Sequence, residues 1–303
     1  MGFASYDQYI NAVTTGQRGS VPFQRVIQTG ATSAAGRWHE ALSAAGGTGG
    51  VMTLTGTAGT GIVMTGATTG SIPVGANVST ATRHLTSMTL HTPSTTAVPG
   101  MVLLTDIIHI YPSLVVVTTP STLSNHPTWT GTGDTRMTNA NGVQASMLLT
   151  TASSAAGQIT LTYVDQSNNT AQAQTGSLFG PVAAHPAGCF FAQTSASATN
   201  GGIVMSMGAG DYGVRQVTSY AINTNATGGT GCIILHRPIA YVPLLAANTP
   251  TVFDFTSGPN PFPRIYDDAC LGLFVLGLPG ASVPGFARGT VPKNEPCGCD
   301  SIL

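Results

Sequence analysis

Short segments that alternate apolar and polar residues run along most of this chain. The clearest is ITLTYVD at 159–165, which is followed by the turn-forming sequence QSNN at 166–169, and VMTLT at 51–55 alternates in the same way. A period of two places successive side chains on opposite faces of a strand, so one face packs and the other stays polar. The pattern predicts short β-strands joined by polar turns.

The glycine and proline content supports this prediction. The chain has 38 glycines and 19 prolines among 303 residues. Both residues disfavour helix interiors, and here they are spread along the sequence. After the N-terminal region we therefore expect no long helix.

An internal repeat relates residues 83–114 to residues 215–245. Arg83 corresponds to Arg215 at a spacing of 132 residues, and after the loss of one residue Gly100–Leu104 corresponds to Gly231–Leu235 and Pro112 to Pro243. Each copy consists of a strand, a polar turn, a long apolar strand and a terminal proline. This order predicts a hairpin with one strongly buried strand in each copy.

The repeat leads to a prediction of fold class and domain organisation. We expect an all-β protein with two tandem, related β-sandwich domains at residues 31–135 and 140–285, and a jelly-roll variant fits equally well. Residues 1–30 are expected to form an extended N-terminal arm and residues 286–303 a C-terminal tail. Such arms suit subunits that attach to neighbours by strand addition.

Charge is scarce. Asp, Glu, Lys and Arg make up 7% of the chain, with 10 basic and 11 acidic residues, whereas about 25% is usual for a soluble domain. No basic stripe is present, which argues against a nucleic-acid partner. Low charge favours association between molecules, so we expect surfaces covered by neighbouring subunits. The alternative is a monomer coated with Thr, Ser and Asn.

The hydropathy pattern argues against membrane insertion and secretion. The apolar runs are short, as in MVLL at 101–104 and LVVV at 114–117, whereas a membrane helix needs about 20 apolar residues. The N-terminal sequence has no basic start followed by an apolar stretch, so we expect no secretory signal. No membrane partner is predicted.

No motif for catalysis or cofactor binding is recognisable. The chain has no G-x-S-x-G elbow and no phosphate loop ending in G-K-S/T, and its seven histidines form no two-histidine metal motif. The best candidate calcium loops are the segment from Asp134 to Arg136 and Asp165 with Asn168 and Asn169, but neither matches the spacing of such a loop. We therefore predict no enzyme, no catalytic residue, no metal and no cofactor.

Four residues are candidates for interface or structural roles. Arg83 and Arg215 recur at matching positions beside an apolar strand, so each is expected either to pair with a carboxylate in a buried or interface position, or to face solvent. Asp211 is a possible partner of Arg215. Trp38 and Trp129, the two tryptophans, complete this set.

The five cysteines fall into two groups. Cys189, Cys232 and Cys270 lie in apolar runs and are expected to be buried free thiols. Cys297 and Cys299 lie in a polar tail. They are candidates for disulfides between subunits, while metal binding by this pair alone is weakly indicated.

Several segments together resemble virion proteins of tailed bacteriophages. They are ASYDQYINAVTTGQ, AAGRWHEALSAAGG, ITLTYVDQSNN, GAGDYGVRQVTS and ILHRPIAYVPL, spread over most of the chain. The resemblance implies a structural component of the virion, assembled in the host cytoplasm. It implies no catalytic residues and does not identify the component.

The most concrete functional hypothesis is a capsid decoration, or cement, protein that stabilises the head through contacts with other virion proteins. Two similar domains per chain suggest a homo-oligomer, and a trimer would present six similar units to a quasi-sixfold lattice. A tail or baseplate ring component is the second hypothesis. The third is a carbohydrate-binding β-sandwich, which would need exposed aromatic side chains.

Overall fold

The structure is a computed structural model. It describes the following residues: 20–26, 38–42, 49–74, 83–91, 100–116, 121–129, 135–152, 157–170, 172–178, 187–191, 203–205, 207–222, 229–245, 249–256, 263–276 and 286–292. Within these ranges there are sixteen strands, one 3-10 turn at Thr135–Met137 and no α-helix. The all-β prediction is confirmed.

The strands have the following bounds: β1 Ser20–Val26, β2 Trp38–Glu40, β3 Ile62–Val63, β4 Arg83–His84, β5 Ser87–His91, β6 Gly100–Val115, β7 Ser121–Thr122, β8 Gln144–Leu149, β9 Gly157–Asp165, β10 Gln172–Leu178, β11 Val214–Ile222, β12 Thr230–Leu244, β13 Thr251–Asp254, β14 Arg264–Ile265, β15 Leu271–Leu276 and β16 Phe286–Pro292.

A central sheet is built around the two long strands of the sequence repeat. Its order is β2-β15-β6-β12-β8, and β3 pairs with β6 next to β15. The sheet closes on itself, because residues 189 and 190 bridge to His39 of β2 and to Leu148 of β8. Three register shifts interrupt the β6–β12 ladder, and such irregularities bend and twist long strands.

Two further four-stranded sheets flank the central one. One has the order β1-β16-β5-β13 and the other β10-β9-β11-β7. A two-stranded sheet is formed by β14 and β4. All the ladders between strands are antiparallel.

Alternation along the central strands divides the core into three layers. Leu103 of β6 and Ile234 of β12 point into the closed central sheet, where they join Phe274. Leu104 packs with strands of the β5 sheet on one outer side, whereas Leu235 packs with strands of the β11 sheet on the other. Because both faces of β6 and of residues 231–236 of β12 are buried along most of their length, the sequence of these segments is mostly apolar.

The two repeat copies adopt equivalent positions but do not form hairpins. In each copy the short strand (β5 or β11) lies in an outer sheet, and the long strand (β6 or β12) lies in the central sheet. The hairpin prediction is therefore wrong, because a long strand that is buried on both faces needs partners on both edges and layers on both sides. Pro112 and Pro243 lie inside β6 and β12 rather than after them.

Strands of the two copies are interleaved. β6 is followed by β7, which pairs with β11 of the other copy, and β12 is followed by β13, which pairs with β5. The long strands also pair with each other. The tandem and jelly-roll descriptions are thus not confirmed, since strands from both halves share each of the larger sheets. Residues 20–26 and 286–292, assigned from sequence to the arms, pair as β1 and β16.

Candidate functional site

Among the described residues, a concentration of buried polar side chains lies near the middle of the ladder between the two long strands. Asp106 of β6 and Arg136 of the 3-10 turn form a salt bridge of 2.9 Å between Nε and Oδ2, and both side chains are almost fully buried. Arg136 also donates to the carbonyl oxygens of Asp268, Met64 and Ile107 at 3.0, 2.7 and 2.8 Å. The guanidinium therefore ties four chain segments together.

Asp106 has a second backbone partner and a displaced pKa. The N–H of Cys270 donates to its Oδ1 at 3.0 Å. Burial raises the pKa of Asp106, while the adjacent Arg136 opposes that rise. The carboxylate of Asp106 contacts Arg136 and the Cys270 N–H, so the Asp106–Arg136 pair joins distant segments of the same chain.

A serine, a histidine and a threonine form a second buried group beside it. Oγ of Ser146 lies 2.9 Å from Nε2 of His236, and Oγ1 of Thr105 lies 2.9 Å from Nδ1. The two hydroxyl groups also reach the carbonyl oxygens of Ile203 and Arg237 at 2.7 and 2.9 Å. The arrangement superficially resembles a nucleophile with its general base.

The chemistry of this group is nevertheless structural. Thr105, Ser146 and His236 are all 0% exposed, and burial lowers the pKa of His236 to about 3. A neutral imidazole has one N–H and the two hydroxyl groups have one O–H each. Three donor protons are therefore shared among the four hydrogen-bond contacts of this group. A buried serine whose proton is shared in this way has no access to a substrate.

His109 and His126 flank Tyr111 on the other side of β6. The Tyr111 hydroxyl lies 2.9 Å from Nδ1 of His126, and the His109 ring packs edge-on against Tyr111 with 4.9 Å between centroids. Burial lowers the pKa of His109 to about 4. Its Nε2 faces Gly61, where an added Cβ would lie 2.1 Å away. A neutral ring that fills a tight space is the simplest description.

The Asp165 loop holds the β9–β10 turn. Oδ1 of Asp165 accepts from the N–H groups of Ser167 and Asn169, both at 2.8 Å, and Oδ2 accepts from the Asn169 side chain. Although burial alone would raise it, these hydrogen bonds hold the pKa of Asp165 below its ordinary value. The carboxylate is therefore engaged in an Asx-type turn.

The two repeat arginines differ in their surroundings. Arg83 is 1% exposed and its Nη1 lies 3.6 Å from Oδ1 of Asp267. Burial lowers the pKa of Arg83, and Asp267 opposes that shift. Arg215 is half-buried, and its guanidinium lies 5.9 Å from the centre of the Trp129 ring. Asp211, considered as its partner, accepts a hydrogen bond from the Tyr163 hydroxyl.

Both tryptophans lie in the core. Trp38 is 7% exposed and meets Tyr241 edge-on at 6.3 Å. Trp129 is 9% exposed and its Nε1 donates to the carbonyl oxygen of Arg215 at 2.7 Å. Neither ring face is open to solvent.

Cys189, Cys232 and Cys270 are buried free thiols, which confirms the expectation for these three. Burial raises the pKa of Cys270 to about 12 and that of Cys232 further. Cys189 Sγ lies 3.5 Å from Nδ1 of His39. Cys297 and Cys299 lie outside the described residues, so their disulfide remains a prediction.

A groove of about 350 Å³ opens beside Glu40 and residues 51–55. Its walls are mostly apolar, from Met52, Leu54 and Leu148, and Glu40 contributes a carboxylate. Glu40 accepts a hydrogen bond from the Leu42 N–H, so this carboxylate is already used by the fold. No convergent set of catalytic groups lines the groove.

The surface itself is the most unusual feature. Among charged residues whose side-chain exposure is described, only Asp254 and Arg264 are exposed. In the same part of the chain eight large hydrophobic side chains are exposed, and they are Val51, Ile62, Val63, Val115, Tyr212, Tyr241, Leu245 and Val252. Most charged side chains whose exposure is described are thus buried or half-buried, whereas the exposed positions there are mostly polar uncharged or apolar.

The described residues contain neither a cluster of metal ligands nor a membrane-spanning helix. No three His, Cys, Asp or Glu side chains come together as metal ligands there. No helix in that part of the chain has the length and hydropathy needed to cross a bilayer.

Sequence reasoning missed the central polar cluster. Thr105 and Ser146 lie 131 and 90 residues from His236, so no local motif marks them. The repeat is the signal that could have revealed one contact, because the alignment of Leu104 with Leu235 makes Thr105 and His236 equivalent positions.

Comparison with known proteins adds little. No protein-family model matches the chain, and no curated protein matches it. A mutant VP2 protein of infectious bursal disease virus in derived T=1 particles is a weak structural match, at 8% identity and a TM-score of 0.19, over 94% of this chain and 80% of that chain. The Gt strain of the same virus matches at 7% identity and a TM-score of 0.16, over 97% of this chain and 88% of that chain. At such TM-scores the likeness carries no argument.

Proposed function

We propose that this chain is a non-enzymatic structural subunit of a bacteriophage virion, and that it decorates the capsid through contacts with other virion proteins. The observation that carries the assembly role is the surface of the described residues, on which two exposed charged residues stand beside eight exposed large hydrophobic ones. The bacteriophage context rests on the sequence segments that resemble tailed-phage virion proteins.

The physical argument concerns solubility. A free molecule is kept apart from its copies largely by charge repulsion, and this chain has a formal net charge of −1. A subunit whose faces are covered by neighbours has no need of such repulsion. Specific protein interfaces bury about 1,600 Å² in total, and repetition of a modest contact on a lattice adds avidity.

The buried polar groups fit the same role. The Asp106–Arg136 pair and the Ser146–His236–Thr105 group are enclosed and internally satisfied or shared, and neither opens to a cleft. Their hydrogen bonds join β6 and β12 to the segments around them. Enclosed polar groups of this kind suit a structural subunit better than a catalyst, which needs accessible reacting groups.

Location on the particle provides the test. Particles of the phage that encodes this chain would be labelled with gold-tagged antibody against the chain and imaged by electron microscopy. We expect label distributed over the head. Label confined to the tail would instead support a tail or baseplate ring, and particles without label would overturn the virion role.

The carbohydrate-binding alternative has a separate test. Sugar stacking requires open aromatic faces, whereas Trp38 and Trp129 are only 7% and 9% exposed, and the exposed aromatic side chains of the described residues are two tyrosines, Tyr212 and Tyr241. Binding of the purified protein to a glycan array would revive that alternative. We expect no binding above background.

A further inference from the structure

The two outer sheets have the same construction, with one difference in connectivity. The strand orders β1-β16-β5-β13 and β10-β9-β11-β7 correspond position by position when β5 is matched to β11. In this matching β16 corresponds to β9, and β1 corresponds to β10. Both β1 and β10 are the outermost strands of their sheets.

Chain connectivity determines the outermost strand in one sheet only. β10 follows β9 through the short turn that Asp165 stabilises by accepting from Ser167 and Asn169. β10 therefore always comes from the same molecule as β9. β1 instead precedes β16 by about 260 residues, and no local turn joins them.

β1 is attached to the body in two ways. Its seven residues pair with β16 from Ser20↔Pro292 to Val26↔Phe286, and residues 27–37 lead to β2. Eleven residues can span roughly 36–40 Å when extended, which is long enough to reach an adjoining subunit. The ladder with β16 would be identical whichever molecule supplied β1.

We infer that β1 is exchanged between copies of this chain, so that β1 of one copy completes the outer sheet of another by pairing with its β16. The exchange of a strand between identical copies keeps all of its backbone hydrogen bonds and is a low-cost route to oligomers. Within one chain the two repeat copies already trade strands in this way, since β7 and β13 each complete the sheet of the other copy.

This inference deepens the proposed function, because a virion subunit that exchanges an edge strand is joined to its neighbour by a continuous sheet. It rests on that function only in requiring that copies of the chain meet. A second copy is the committed partner, since β1 has the register that β16 requires and no new recognition surface is needed.

Cross-strand disulfides provide the test. In a background with Cys297→Ser and Cys299→Ser, one preparation would carry Phe23→Cys alone and a second, differently tagged one Gly289→Cys alone, since Phe23 and Gly289 are register partners. The two would be co-expressed, purified as the native assembly and oxidised mildly. The neighbouring pair Gln24 and Arg288 would be used in parallel, because adjacent register pairs differ in Cα separation.

We expect a covalent heterodimer on a non-reducing gel, since Cys189, Cys232 and Cys270 are buried and the two introduced cysteines, which are on separate chains, can meet in register only if β1 crosses between copies. The matched control places Thr162→Cys and Ala173→Cys, register partners of β9 and β10, on separate chains. Those chains should remain unlinked. The double variant Phe23→Cys/Gly289→Cys on one chain shows whether the pair oxidises at all.

The opposite result is equally clear. If Phe23→Cys/Gly289→Cys closes an internal disulfide within monomers while the separated single variants remain unlinked, β1 stays in its own molecule and the inference is overturned. The protein could still label phage heads in that case, so the two failures are distinguishable.

Discussion

Thr105 of β6 and His236 of the neighbouring strand β12 are in contact, with Oγ1 2.9 Å from Nδ1, and they occupy equivalent positions of the internal repeat. Their contact marks the point where the two copies meet most directly. Around it, a threonine and a histidine, an aspartate and an arginine replace what is elsewhere apolar core. The duplicated chain has thus become asymmetric where its halves are in closest contact.

The Ser146–His236 contact should contribute to stability and not to catalysis. Ser146→Ala leaves the Ile203 carbonyl and Nε2 of His236 with one partner fewer, so we expect a loss of about 1–3 kcal/mol in the free energy of unfolding. Urea denaturation would measure it. Ser167→Ala, on an exposed turn, is the control and should change stability by less than about 0.5 kcal/mol.

A fluorophosphonate probe distinguishes the two roles of Ser146. We expect no covalent labelling of the folded protein, because the hydroxyl is 0% exposed. Labelling that disappears in Ser146→Ala would contradict the structural role.

The Asp106–Arg136 pair should be costly to break. Asp106→Asn leaves the buried Arg136 charge without its counterion, and removal of one partner from a buried pair typically costs about 3–5 kcal/mol. Asp254→Asn alters an exposed carboxylate that accepts from the Thr256 N–H at 2.8 Å. We expect a loss below about 1 kcal/mol for that control, as measured by denaturant titration. Equal losses of unfolding free energy for the two variants would show that the buried Asp106–Arg136 pair does not stabilise the fold.

Acid should weaken the fold through its buried histidines. His109 and His236 have folded-state pKa values of about 4 and about 3, whereas an unfolded histidine titrates near 6.5. Below pH 6.5 the unfolded chain binds more protons, so stability falls as pH falls, by on the order of 1.4 kcal/mol per pH unit for each histidine.

The contribution of each histidine to this dependence of stability on pH is isolated by comparing variants. His236→Gln and His109→Gln should each show a shallower decline in unfolding free energy from pH 6.5 to pH 4.5 than the natural chain, whatever their stability at pH 7.5. Burial raises the pKa of Asp106, an effect of opposite sign that is common to all three proteins. Parallel pH profiles would mean that neither histidine is buried in its neutral form.

Gly61 should tolerate no side chain. A Cβ there would lie 2.1 Å from Nε2 of His109 and 2.3 Å from the Asn125 carbonyl oxygen. Gly61→Ala is expected to destabilise the protein by about 1–3 kcal/mol or more through overpacking. At Gly66 the nearest atoms to an added Cβ are at 3.3 and 3.4 Å, so Gly66→Ala should cost less in thermal denaturation. The reverse order would place His109 elsewhere.

Several elements could be predicted from sequence because their causes are local. The ITLTYVD segment forms most of β9, and the turn after it follows from the short Asp165 side chain and its neighbouring N–H groups. Burial alternates along Val51–Thr55 as the pattern predicts, although no ladder forms there. The buried state of Cys189, Cys232 and Cys270 follows from their apolar neighbours.

Other features depend on contacts between distant segments. The hairpin prediction was wrong because proximity in sequence was taken as pairing, whereas β5 and β6 lie in different sheets. The buried hydrogen bonds of Arg136 could not be predicted from sequence, because its partners Asp106 and Asp268 are 30 and 132 residues away. Nothing in its local sequence separates it from a solvent-facing arginine.

The sequence by itself determined that this chain is all-β, that it contains a duplicated strand pair and that charge is scarce, since alternation, repeat and composition are properties of neighbouring or countable residues. Only the tertiary structure decided that the copies interleave around one closed central sheet and that most of the charged side chains whose exposure is described are at least half-buried. Such choices depend on which edges and faces find partners. The same local pattern allows many pairings, and the summed burial of the whole chain selects among them.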